Sequence, residues 1–187
     1  MKKILAMMIA LLFVFSLASC GIFDRSEQIR AEQSRLAEES RQAEESRYLE
    51  YIAQQAEYLE AAREFYTKIS ENAALIDAVA SDICEMWKDA DYDTTTKEIN
   101  KKIARILEDH KENVDEINAF DKEIAQLLSK AKLSTAGYQV ERAMKSYIEY
   151  RDSVLKADAS FMEYGFIEIS SNKSSLDDAL KDLYVKL

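Results

Sequence analysis

The stretch YLEYIAQQAEYLEAAREFYTKISENAALIDAVASDICEMW, residues 48–87, decides the fold. Within it Tyr48, Ile52, Gln55, Leu59, Ala62, Tyr66, Ile69, Ala73, Ile76, Ala80, Ile83 and Trp87 recur at alternating steps of four and three. Side chains so spaced share one face of a 3.6-residue helix, and a face this long needs other helices to cover it. From Phe65 onward Leu75, Val79 and Met86 widen the apolar face, as expected where a helix meets two neighbours instead of one.

The remaining helices follow from the same periodicity. Asp89 to Thr95 breaks the pattern, and Thr95 followed by Glu98 is a capping-box signature for a second helix. That helix carries Ile99, Ile103, Ile106, His110, Asn113, Ile117, Phe120, Ile124, Leu127 and Ala131 on one face, with His110 and Asn113 as polar interruptions. Lys132 to Gly137 reads as a turn. Val140, Tyr147, Val154 and Phe161 then recur every seven residues beside Ile148, Leu155, Met162 and Ile169, which predicts a third helix ending between Gly165 and Ser171. Phe166 to Ile169 also fits an extended segment. Ser170 to Ser175 is a polar break, and Leu176, Leu180, Leu183 and Leu187 mark a short fourth helix. The expected fold is all-α: an elongated antiparallel bundle of three long helices, up-down-up, with a short C-terminal helix, over residues 48–187. The absence of proline and the presence of only three glycines, at 21, 137 and 165, agree with few, long helices.

Residues 24–47 differ in kind. Ser34-Arg35, Ser40-Arg41 and Ser46-Arg47 are each followed by glutamates within helical reach, such as Glu38 and Glu39 after Arg35. Such i,i+3 and i,i+4 pairs support an exposed helix by a few tenths of a kcal/mol each. A six-residue repeat drifts around the helix and builds no apolar stripe, so the segment reads as a polar helical stalk or a flexible tether.

Upstream of it, Lys2 and Lys3 precede an apolar run from Ile4 to Ala18 broken only by Ser16. As a helix this run spans roughly 22 Å, short of the roughly 30 Å core of a bilayer, so it suits a signal sequence better than a membrane span. It ends in Leu17-Ala18-Ser19-Cys20, which resembles the lipobox of bacterial lipoproteins at all four positions. The resemblance implies cleavage before Cys20, a thioether-linked diacylglycerol on Cys20, palmitate among its acyl chains, and a membrane-anchored, extracytoplasmic location in the cell envelope. Gly21 stands where that family's inner-membrane retention signal has an aspartate. The resulting division is a signal peptide at 1–19, the anchor and stalk at 20–47, and the bundle at 48–187.

Charge and composition exclude several functions. Among 187 residues, 35 acids oppose 25 lysines and arginines, a formal net charge of -10 that becomes -12 once Lys2 and Lys3 are removed with the signal. Such a surface disfavours nucleic acid and anionic lipid, leaving the acyl chains to hold the membrane. Two chains, at about 0.8 kcal/mol per buried methylene, suffice for stable anchoring. With Cys20 acylated, Cys84 has no intramolecular partner and reads as a small buried hydrophobe beside Ile83. The lone histidine, with Leu107 three residues before it, fails the paired Glu-x-x-His pattern of carboxylate-bridged metal sites. No glycine-rich phosphate loop, nucleophile elbow, zinc spacing or Cys-His pair can be assembled, so neither cofactor, metal nor enzymatic activity is expected. Tyr51, Tyr58, Tyr150 and Tyr164 lie off or beside the seams, either as core margin or as a binding platform.

Two functional classes remain. One is a non-catalytic, lipid-anchored protein whose bundle binds another protein or a cell-wall component. The other is a small-ligand-binding bundle using a polar layer of His110, Asn113 and Asp158. Antiparallel pairing of the second and third helices about residues 134 and 135 sets Asp158 opposite His110, where the layer would fix helix register or hold a ligand.

Overall fold

A computed structural model describes residues 2–90, 94–159 and 164–187, with side chains from Glu27 onward within them. The expected seam residues Phe161 and Met162, and the side chains of Leu17, Ala18, Ser19 and Cys20, lie outside the described residues. Five helices account for the fold: α1 (Lys2–Lys88), α2 (Thr96–Asp109), α3 (Lys111–Ala131), α4 (Gly137–Leu155) and α5 (Gly165–Lys186). The chain divides into two compact units, one up to Ile52 and one from Ala53 to Leu187.

In the first unit the α1 backbone is helical and every described side chain is exposed, including Ile29, Leu36, Tyr48, Leu49, Tyr51 and Ile52. Arg35 and Glu39 form one of the expected i,i+4 ion pairs at 3.5 Å. Tyr48 and Ile52 thus belong to the 4-3 series without being covered, and burial along α1 begins at Ala61.

The second unit is a helical bundle. Ala62, Ile69, Ile76, Ala80, Ile83 and Trp87 of the α1 seam are buried, joined by Phe65 and Val79 from the widened face. They pack with Ile99 and Ile103 of α2, Ile117, Phe120 and Ile124 of α3, Val140, Tyr147 and Val154 of α4, and Ile169, Leu176 and Leu183 of α5. Helix directions follow from side-chain pairs. Glu57 with Lys130 and Lys68 with Glu123 set α3 antiparallel to α1. Asn72 with Tyr147 and Asp77 with Tyr150 set α4 parallel to α1. Tyr66 with Tyr184 and Asp77 with Lys173 set α5 antiparallel to both.

Several expected boundaries hold. α1 ends at Lys88, and Thr95 forms a complete capping box: its hydroxyl accepts from the Glu98 N–H, and its own N–H donates to the Glu98 carboxylate at 3.0 Å. Those bonds hold the Glu98 carboxyl below its usual range. The turn between α3 and α4 falls at residues 132–136, with Ser134 Oγ accepting from the Ala136 N–H and donating to the Ala131 carbonyl.

Three boundaries differ. The second helix is interrupted at His110, whose φ of -98° and ψ of 22° leave the α-helical range, although the 4-3 series continues across it. The third helix ends at Leu155, about ten residues early, because Asn100 of α2 accepts the Ala159 N–H at 2.8 Å and gives the chain a partner outside the helix. The Ser170–Ser175 break is absent: α5 is one 22-residue helix from Gly165, so the C-terminal helix is not short and Phe166 to Ile169 is helical. Ile169, Leu176 and Leu183 recur at seven residues and are buried together, and that stripe outweighs the modest helix cost of serines on the opposite face.

Gly137 is required by close approach. A Cβ there would lie 2.2 Å from the Lys132 carbonyl oxygen, which is backbone and cannot swing aside. We expect Gly137→Ala to destabilise the bundle by about 1–3 kcal/mol, as overpacking does, despite alanine's higher helix propensity. Urea denaturation followed by circular dichroism measures it, and an unchanged or raised midpoint would refute the clash.

Candidate functional site

The polar interruption at His110 is a real contact, with one partner different from that expected. His110 Nε2 lies 2.8 Å from Asp82 Oδ2 on α1, and Asn113 Nδ2 lies 3.4 Å from His110 Nδ1. His110 and Asn113 are therefore brought together, and Asp82, not Asp158, supplies the carboxylate at the ring. Asp158 lies beyond the end of α4, beside Ala159 and the Asn100 side chain that holds it. The antiparallel register itself is sound, since Phe120 meets Tyr147 at 5.1 Å between ring centroids and Asp121 pairs with Arg151. Extrapolation from it fails because α4 stops three residues before Asp158.

A second polar array runs between α1, α4 and α5. Tyr147 is fully buried and donates its hydroxyl to Asn72 Oδ1, itself buried. One helical turn on, Tyr150 donates to Asp77 Oδ1 at 2.6 Å, and Lys173 of α5 takes Asp77 Oδ2 at 2.6 Å. Burial pushes both phenols far above their ordinary range, so they act as neutral donors. Of the four tyrosines set beside the seams, Tyr150 is thus core, whereas Tyr51 and Tyr164 are exposed. Asn72 carried a weak signal: it sits three residues after Ile69, on the apolar side of α1.

A cleft of about 430 Å³ with mixed chemistry lies where the end of α1 meets α4 and α5. Trp87 and Ile148 form apolar wall, and Glu149, Asp152, Lys156 and Glu168 stand around it. Asp152 is neutralised: Arg151 Nη2 approaches at 2.9 Å and Lys156 Nζ at 2.6 Å. Burial raises its carboxyl pKa, but the hydrogen bonds from Lys156 and Arg151 outweigh that and hold it below the usual range. The Trp87 indole N–H is buried and finds no acceptor among the described residues. No single seam contains this cleft, and of its walls only Trp87 and Ile148 lay on predicted apolar faces.

Among the described residues no three His, Cys, Asp or Glu side chains are grouped to hold a metal ion. Cys84 is half-buried, and burial pushes its thiol up, away from the reactive thiolate. No family model matches the chain, and neither a curated protein nor a solved structure matches it.

Two outcomes follow from these contacts. Tyr147→Phe leaves the buried Asn72 oxygen unpaired and is expected to cost about 1–3 kcal/mol, whereas combining it with Asn72→Leu costs less than the sum of the single changes. Chemical denaturation of the two single variants and the double variant measures the coupling, and strict additivity would show that the bond contributes nothing. Asp152 has a lowered folded-state pKa, so its stabilisation is fully present above the unfolded value of about 3.9 and is lost as pH falls through the folded one. Asp152→Asn should flatten the loss of stability below about pH 4 relative to the parent chain, as read from thermal midpoints between pH 2 and 6.

Proposed function

We propose that this protein is a bacterial envelope lipoprotein, anchored through diacylglycerol on Cys20, whose helical bundle binds another protein or a cell-wall component without catalysing a reaction. The observation that carries the reading is Leu17-Ala18-Ser19-Cys20 at the end of an apolar run preceded by Lys2 and Lys3. Cleavage before Cys20 removes the apolar run, so in this reading the acyl chains are the attachment to the membrane. The net charge of -10 supports it, because an acidic chain gains nothing from anionic headgroups.

Residues 24–47 serve in this reading as a stalk between the acylated cysteine and the bundle. Exposure of every side chain from Glu27 to Gln54, together with the Arg35–Glu39 pair, supports that use. A helix with no buried stripe contributes little to a core and is free to act as a spacer. The second reading, a small-ligand site at the His110, Asn113 and Asp158 layer, has less support, since Asp82 and Asn113 already engage both ring nitrogens of His110.

Metabolic labelling with palmitate tests the anchor. We expect label on the parent chain, none on Cys20→Ala, and a shift of that variant from the membrane pellet to the soluble fraction or to the uncleaved precursor. Absence of label from the parent chain would overturn the assignment.

A further inference from the structure

We propose that α2 detaches from the bundle as one unit, with His110 as the boundary at which the opening stops, while α3, α4, α5 and the buried part of α1 stay folded. The inference goes beyond the anchor and binding readings, and every residue it uses lies in the second unit. It rests on how unevenly the helices are tied to the core.

α2 is held by one narrow apolar stripe. Of its 14 residues only Ile99 and Ile103 are buried, Ile106 and Leu107 are half-buried, and the rest are exposed. By contrast α3 buries Ile117, Phe120 and Ile124, α4 buries Val140, Tyr147, Tyr150 and Val154, and α5 buries Ile169, Leu176 and Leu183. The polar ties divide in the same way. Ion pairs join α3 to α1 through Glu123 and Lys68, α3 to α4 through Asp121 and Arg151, and α4 to α5 through Arg142 and Asp182. Arg105 pairs within α2, with Asp109, and among the described residues no ion pair joins α2 to another helix. Its tie to a distant segment is the Asn100 side chain, which accepts the Ala159 N–H at 2.8 Å.

The joint between α2 and α3 sets where the opening ends. Between Ile103 and Ile117 no side chain is buried, so the apolar anchors of the two helices are separate. His110 lies midway, with its backbone already outside the α-helical range. Its ring contacts Asp82 of α1 and Asn113 of α3, which pins the joint to the body of the bundle when α2 leaves. A detached helix of 14 residues is marginal in water, because nucleation is costly and tertiary packing supplies most helical stability. Detachment and loss of the α2 hydrogen bonds therefore occur together, and a unit so weakly anchored opens below the free energy of global unfolding. Opening uncovers the apolar surface beneath Ile99 and Ile103, while the Tyr147–Asn72 bond stays in place.

Amide hydrogen exchange on the full-length protein in detergent, resolved residue by residue with NMR, reads the opening. The expected result is one common protection factor from Ile99 to Asp109, about a hundredfold or more below that of the buried stretches of α4 and α5. Two conservative core variants separate a local from a global opening. Ile124 stays packed when α2 leaves, so Ile124→Val should lower protection in α4 and α5 by about threefold to tenfold and leave α2 unchanged. Ile103 loses its packing in both openings, so Ile103→Val should lower protection of α2, α4 and α5 by one shared factor. Protection in α2 equal to that in α4 and α5 would overturn the proposal, as would a gradual decline along α2 that marks fraying from one end. A loss of α2 protection in Ile124→Val, or none in Ile103→Val, would overturn it as well.

Discussion

The hydrogen bond from Tyr147 to Asn72 is the contact on which the register of the bundle depends. Both groups sit in the core, where an unpaired hydroxyl or amide is costly and apolar neighbours offer no substitute. Sliding α4 along α1 by one turn would leave most of the apolar contacts replaceable but would strand both polar groups. The same step fixes Tyr150 against Asp77, and through Asp77 the position of Lys173 on α5. Oily surface drives the helices together, and this short polar ladder selects one arrangement from those that oil alone would accept.

Most of the fold was legible in the sequence because its signals are local. The seam from Ala62 to Trp87, the capping box at Thr95 and Glu98, and the turn before Gly137 each follow from residues within a few positions of one another. The failures arise where a distant partner decides. Asn100 ends α4 by capturing the Ala159 N–H, and nothing near Leu155 in the sequence announces it. The serines at 170–175 suggest a break, but Ile169, Leu176 and Leu183 have core to cover them, and burial overrides propensity. At the polar layer the sequence identified His110 and Asn113 as unusual seam residues. It could not identify Asp82, which sits on α1 just before Ile83 and reads as ordinary acidic surface.

The cleft at Trp87 was harder still to foresee. Its walls come from three helices, and its chemistry depends on which carboxylates are compensated, a property of side-chain geometry instead of composition. Asp152 and Glu168 look alike in a chain with 35 acids. In the folded bundle one is held by Arg151 and Lys156 and the other is not.

The lack of proline has a kinetic consequence. Slow isomerisation about X–Pro bonds, which takes tens of seconds or longer, cannot delay this chain, and helical bundles reach their native contacts through short loops in microseconds to milliseconds. Until its helices dock, a chain leaves its apolar faces open to proteases and to other unfolded chains, and for this one that interval is set by helix formation and docking alone.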